Sequence, residues 1–302
     1  MKYRSQGTSI AAALLLAVCG QVVAQEGDGG QAAGTQASAP HHGMSADEVA
    51  KELSNPASAL ASLFNSVVYT GYKGDLPGAN SQDSWSFQFQ PVLPFPVGDK
   101  GRNIIFRPLF TVPFDQPVFD AKQGKFEDAD VELADVTYEL ALAGNEMKDK
   151  HNGWLWGIGV GGTFPTATNN DLGGDQWRLG PALFGGVVRN WGLVGLVLEN
   201  QWNVGDDDDH SVTSGQYFYA YGLGKGWQIA ASPTFAYNWK ADSDQAWTFP
   251  VGLGVAKTTK FGKMPVKFQA QVQYFVEQPD AFGPDWLLKF TITPVIKNPF
   301  VR

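Results

Sequence analysis

The sequence predicts an all-β chain, a transmembrane antiparallel up-and-down β-barrel of about 12 strands with a short N-terminal helix. Three observations carry this. Long segments alternate apolar and polar residues, so one face of each is apolar and the other polar. Trp recurs near the segment ends, at Trp85, Trp154, Trp177, Trp191, Trp202, Trp227, Trp239, Trp247 and Trp286, as interfacial girdles require. Beyond the N-terminal leader there is no run of ~18 apolar residues, so only strands could cross a bilayer. A soluble sandwich also alternates, but its strands are shorter, with a mode of about 5–6 residues.

In chain order, residues 1–24 read as a signal peptide. Lys2 and Arg4 precede the apolar run Thr8–Gly20, and Val22–Ala24 offers small residues for cleavage after Ala24. The rival reading, acylation at Cys19, is disfavoured because Val18 stands where a small residue is wanted. Cys19 is the only cysteine and leaves with the leader, so neither a disulfide framework nor a cysteine metal site is expected. Residues 25–44 are rich in Gly, Ala, Ser and Gln and read as a flexible tail. Residues 45–61 hold a short helix and linker. Ser45 with Glu48 three places later forms a capping box, and Asn55-Pro56 ends the helix. This segment is the candidate plug of the barrel.

Residues 62–302 form the barrel. The expected strands are Ser62–Tyr72, Ser84–Leu93, Asn103–Val112, Val131–Leu142, Gly153–Thr163, Gln176–Val188, Trp191–Trp202, Val212–Tyr221, Gly226–Trp239, Ala246–Lys257, Val266–Glu277 and Trp286–Ile296. Alternation is sharpest in Ser84–Gln90, where Trp85, Phe87 and Phe89 oppose Ser84, Ser86, Gln88 and Gln90. Such strands must close on themselves, because lipid cannot satisfy an open edge.

The connections sort by length and charge. With the N-terminus in the periplasm, the outer loops carry Asp75, Asp115, Asp120, Asp128, Asp171, Asp206–Asp209, Asp242, Asp244 and Asp280. The inner turns are shorter and lean basic, through Lys100, Arg102, Lys148, Lys150, Arg189, Lys225, Lys260 and Lys263. Short periplasmic turns and longer outer loops are the rule for this class.

The stretches Leu53–Leu63 "LSNPASALASL", Gly74–Gly78 "GDLPG", Leu93–Gly98 "LPFPVG", Phe114–Phe119 "FDQPVF", Asp175–Pro181 "DQWRLGP" and Tyr274–Trp286 "YFVEQPDAFGPDW" carry a family resemblance over residues 50–297. The chain resembles bacterial outer-membrane barrels labelled "transporter" or "neuromedin U", close to barrels named for the MetA pathway of phenol degradation. The resemblance implies an outer-membrane location and a transport role, and it carries over no catalytic motif. One departure is the terminus: such barrels end on an aromatic residue, whereas Phe300 is followed here by Val301-Arg302.

Chemistry follows from what the lumen would hold. The formal charge of -8 excludes a nucleic-acid partner, which needs a basic face. Enzymatic barrels need a histidine within reach of a serine. Of the four histidines, His41 and His42 lie in the tail, His151 in an inner turn and His210 on the outer rim. No catalytic constellation and no cofactor are therefore expected. Alternation places Arg107, Asp135, Glu139, Arg178, Glu199, Lys267, Gln269, Gln271, Gln273, Glu277 and Lys289 on the lumen face. They either pair across a closed lumen or line a hydrated path and bias its selectivity. Glycines at Gly157, Gly159, Gly161, Gly252 and Gly254 would free space inside. The acidic run Gly205–Thr213 "GDDDDHSVT" reads as a solvated outer loop tip rather than a metal site, since it lacks the spacing of a calcium loop. The expected function is a passive channel for small solutes; the alternative is a plugged structural barrel without transport. The expected partners are outer-membrane lipid, lipopolysaccharide and a small-molecule solute.

Overall fold

The computed structural model describes residues 44–98, 101–129, 131–149, 152–169, 172–205 and 210–300. The leader, the tail, His41, His42, His151, Asp171, Asp206–Asp209 and Val301-Arg302 lie outside the described residues.

One helix, α1 (Ala46–Glu52), precedes the strands β1 (Ala61–Lys73), β2 (Asp83–Val97), β3 (Arg102–Asp120), β4 (Lys125–Ala129), β5 (Val136–Met147), β6 (Gly153–Phe164) and β7 (Arg178–Arg189). There follow β8 (Gly192–Asn203), β9 (Ser211–Gly224), β10 (Trp227–Ala231), β11 (Thr234–Asn238), β12 (Trp247–Phe261), β13 (Met264–Glu277) and β14 (Gly283–Ile296). All pairings are antiparallel; strands pair with their sequence neighbours except that β3 pairs β5, β9 pairs β11 and β10 pairs β12, and β1 pairs β14, so the ring closes. β10 and β11 both lie between β9 and β12 and form one wall position; β4 pairs only β3 and stands above the wall. The wall is therefore a closed 12-strand barrel, and each of the twelve expected segments occupies one position in it.

Three segments differ in detail. β3 runs on to Asp120 and pairs with β4 as a hairpin, where the sequence reading placed a loop from Pro113. Proline removes a ladder donor, so Pro113 and Pro117 weaken the strand signal there. Pro113 is tolerated because it sits at a register shift opposite Ser86, beside the backbone N–H of Trp85, which donates to the Asp115 carboxylate instead. β5 starts at Val136 rather than Val131. The residues before it are held by the β6–β7 loop, with Leu133 and Val136 donating to the hydroxyls of Thr168 and Thr166. The segment Gly226–Trp239 is broken at Ser232-Pro233, for Pro233 has no N–H to continue the ladder.

The solvent pattern is inverted relative to a soluble protein. Ile158 is 58%, Trp154 52% and Leu253 60% exposed, while Lys267 is 3%, Gln273 5% and Thr293 1% exposed. Apolar residues cover the outside and polar ones line the inside, as lipid surroundings require. Trp85, Trp177, Trp202, Trp239, Trp247 and Trp286 ring one end, and Trp154, Trp191 and Trp227 the other, all exposed. At the second end cations lie over the rings: Lys257 Nζ is 5.1 Å from the Trp227 centroid, and the Arg189 guanidinium 6.0 Å from that of Trp154.

That second end also carries the tight turns, between Val97 and Arg102, Met147 and Gly153, Arg189 and Gly192, Gly224 and Trp227, and Phe261 and Met264. The long loops all lie at the first end. This is the segregation that strand parity predicts.

Candidate functional site

The site is the barrel lumen with the segment that enters it. The capping box of α1 is formed: the Ser45 N–H donates to Glu48 Oε2 at 2.7 Å and the Glu48 N–H to Ser45 Oγ at 3.2 Å. A helix of this length would be marginal alone. It is held from outside, at the tight-turn end. Asp47 accepts from the backbone N–H groups of Lys225 and Gly226 at 3.1 and 2.6 Å. Gly226 adopts a positive φ of 77°, and a Cβ there would strike the Thr258 carbonyl, so the turn that receives Asp47 needs glycine. Lys51 Nζ donates to the Arg189 carbonyl at 3.0 Å, and Lys260 Nζ to that of Met44 at 3.0 Å. Val49 and Leu53 pack with Leu60 and Val295.

The linker then crosses the lumen. Ser54 Oγ accepts from Lys267 Nζ at 2.7 Å on β13. On the opposite side Asn55 Nδ2 donates to Asn145 Oδ1 at 3.1 Å, and Asn145 Nδ2 returns a bond to the Ala57 carbonyl at 3.2 Å. Ala57 is fully buried against Val92, Ile105 and Ala143. The segment from Met44 to Leu60 thus touches β2, β3, β5, β10, β12, β13 and β14 around the ring. Burial also pushes the Glu52 carboxyl above the usual carboxylate range, with the Ser58 hydroxyl bond and Lys51 opposing it.

Beyond this segment lies a chamber with about 130 Å³ of room for water. A water needs roughly 10–15 Å³ on that measure, so the chamber has room for several waters but is far from a porin's open channel. Phe64, Val92, Leu109, Val197 and Phe218 give it an apolar flank. Arg107, Lys267, Lys289, Gln88, Gln269 and Gln271 give it a polar one.

The residues expected in the lumen divide into two groups. Arg107 and Glu139 face each other across β3 and β5 and form an ion pair at 3.1 Å. Glu199 lies over Gly161, whose missing Cβ makes the room, and accepts from Gln201 Nε2 at 3.1 Å. Lys289 Nζ donates to Gln88 Oε1 at 2.9 Å. Gln269 Nε2 donates to the Ala230 carbonyl at 3.1 Å, and Gln271 Oε1 accepts from the Ser232 N–H at 3.2 Å. Both amides thereby reach across β12 to the broken strand. Gln273 is buried on the same face.

The others sit at the long-loop end. Asp135 precedes β5 and clamps the β6–β7 loop, accepting from the N–H groups of Thr166, Ala167 and Gly174 at 3.1, 3.0 and 2.9 Å. Arg178 opens β7 against Gly174. Glu277 ends β13 and is exposed. The lumen glycines do not leave open space either. The Phe184 ring fills the position over Gly157 and the Glu199 carboxylate the one over Gly161, because a barrel this narrow lets side chains reach across neighbouring strands. Sequence reasoning passed over Ser54, Asn55 and Asn145, since Asn55-Pro56 reads as a helix stop and Asn145 fell outside the expected strand. Among the described residues His210 precedes β9 in the long-loop region, away from the lumen serines, and no cluster of three metal-ligating side chains occurs.

No family model matches the chain, and no curated protein does. Among solved structures, an outer membrane channel from Pseudomonas putida F1 is similar, with a TM-score of 0.54 at 18% identity over 79% of this chain and 96% of that one. Outer membrane phospholipase A from Escherichia coli has a TM-score of 0.37 at 13% identity, over 78% of this chain and 97% of that one. A FadL homologue from Pseudomonas aeruginosa has a TM-score of 0.34 at 10% identity, over 82% and 93%. The last two are too remote in geometry to bear on this chain. The first likeness establishes the fold alone: this chain has the fold of a bacterial outer-membrane β-barrel.

Proposed function

We propose that the protein is an outer-membrane channel for small solutes, closed at rest by its N-terminal segment Met44–Leu60 at the periplasmic mouth. The observation that carries this is the pairing of a polar chamber that has room for water with a segment that covers one end of it through side-chain bonds rather than continuous strand pairing. A purely structural barrel has no need of a hydrated interior walled off by a separable segment. The resemblance to barrels labelled as transporters, some named for phenol degradation, agrees with this reading, and so does the similar channel from Pseudomonas putida F1.

The alternative, a permanently plugged barrel of the cell envelope, draws on the number of ties that hold the segment. Two measurements separate them. Removing residues 25–60 should raise single-channel conductance several-fold in planar bilayers, and unchanged conductance sinks the plug. Proteoliposomes of the full chain should swell with small solutes, and swelling no faster than in empty liposomes favours the structural barrel.

A further inference from the structure

The chamber holds more cationic donors than its neighbours can satisfy. Lys267 is 3% exposed, and the bond shown for its ammonium is to the Ser54 hydroxyl. The bond shown for Lys289 is to the amide oxygen of Gln88. An ammonium has three N–H groups, so each lysine has donors to spare. Among the described residues neither is in an ion pair of the kind seen at Lys73–Asp285, Arg107–Glu139 and Lys125–Glu127. Arg107 lines the same chamber and spends one side of its guanidinium on Glu139, while its buried Nε–H has no partner. The one carboxyl lining the chamber is Glu52, which is committed to Ser58 and is favoured neutral by burial. The remaining polar lining is amides and hydroxyls, among them Gln88, Gln90, Gln216, Gln269, Ser66 and Thr291.

Burying a cation without a counter-charge is costly, so a fold that places two lysines here with no carboxylate paired to either leaves work for an anion. We propose that the chamber is a binding site for a small organic monoanion, with Lys289 taking its charged group and the Val197–Phe218 flank taking its apolar body. A carboxylate suits the site, because it can accept from the spare N–H groups of Lys289 while Arg107, which lines the same chamber, adds a second positive charge. Lys267, nearer the plug through Ser54, gives the same anion a second cationic step toward the periplasmic end. The size of the chamber limits the ligand to one of about a single ring, well below the ~300 Å³ of drug-sized pockets.

The inference rests on the channel reading and names its solute class. It is tested by calorimetry on the full chain in detergent, with sodium benzoate as probe and benzamide as its uncharged counterpart. Benzoate should bind at least tenfold more tightly than benzamide. Lys289→Gln should weaken benzoate at least tenfold, and Lys289→Arg should restore it. Folding of each variant is checked by heat-modifiable gel mobility. If Lys289→Gln does not fold, the benzoate-to-benzamide ratio of the wild type decides. Equal binding of the two probes, no binding of either, or an unchanged affinity in folded Lys289→Gln overturns the site. Conductance of the same preparation keeps the two claims apart: conductance without benzoate preference overturns the anion site alone, and benzoate binding without conductance overturns the channel alone.

Discussion

The Tyr219 hydroxyl donates to the Gly252 carbonyl at 2.7 Å, reaching from β9 past a broken strand to β12. Tyr217 does the same for the Pro250 carbonyl at 3.0 Å. The gap they span exists because β10 pairs β12 only at Trp227–Ile229 and β11 only at Ala236–Tyr237. Strand residues between Thr248 and Val255 of β12 are left without a ladder partner on that side. Inside the barrel Gln269 and Gln271 meet the loose ends of the broken strand. Side chains from both faces therefore replace the ladder that Pro233 interrupts. Tyr219→Phe should destabilise the barrel by about 1–3 kcal/mol, the cost of one unmet buried polar group. Urea unfolding in detergent, followed by Trp fluorescence, measures it. An effect indistinguishable from that of Tyr221→Phe, which donates to no such carbonyl, would show that lipid-side hydroxyls do not brace the wall.

The tie between the linker and the wall is concentrated at Asn145. Its amide receives Asn55 and returns a bond to the Ala57 carbonyl. Asn145→Ala leaves both partners without their bonds and should cost the docked state about 1–3 kcal/mol, a shift of roughly 5- to 150-fold in the docked-to-released ratio. Single-channel recordings should show openings more frequent by that factor, with the open conductance unchanged. Identical open probability in wild type and variant contradicts a releasable plug.

Much of this fold is legible from alternation because lipid and lumen impose opposite demands on adjacent residues. Lys267, Gln269, Gln271 and Gln273 could be placed inward from period alone. Periodicity fails where its cause fails, above the bilayer and across a proline. Asp135 kept the inward parity but stands outside β5, where loop N–H groups outbid the lumen for its carboxylate. Pro113 and Pro117 hid the β3–β4 hairpin, because a proline costs a strand least at its edge and at a bulge, a context no local pattern displays. The plug was legible as a capped helix and not as a contact set. Asn55, Asn145 and Ser54 are ordinary polar residues until closure of the ring brings them together.

Glu52 gives the docked segment a pH dependence. Burial raises its pKa in the docked state, with Ser58 and Lys51 pulling the other way. An acid with a raised pKa keeps its proton while the solvated, undocked acid has already lost it. Docking is therefore strongest below the usual carboxylate range and weakens as pH rises through that range toward the raised value. Open probability should climb with pH over this window, and Glu52→Gln should flatten the profile. A profile of the same shape in Glu52→Gln assigns the dependence to another group.

At the long-loop end aromatic rings tie the β3–β4 hairpin to the β13–β14 connection. Phe126 of β4 lies 4.6 Å from Phe282 in the β13–β14 connection, Phe119 lies 5.0 Å from Phe126, and Tyr72 stacks on Phe282 at 4.8 Å. The β3–β4 hairpin thus leans past β2 and β1 to touch a loop beyond them. Each such pair contributes about 0.5–1.5 kcal/mol beyond its buried area. Phe126→Ala removes two of the three contacts and should free the hairpin while leaving the wall intact. Trypsin added to the long-loop face of proteoliposomes should then cut after Lys122 or Lys125, both exposed in the hairpin, several-fold faster than in the wild type. Phe126→Leu should fall between the two, because it keeps apolar contact and loses only the ring geometry. Equal cutting rates in all three would mean that the hairpin is held by its pairing to β3 and owes nothing to Phe282.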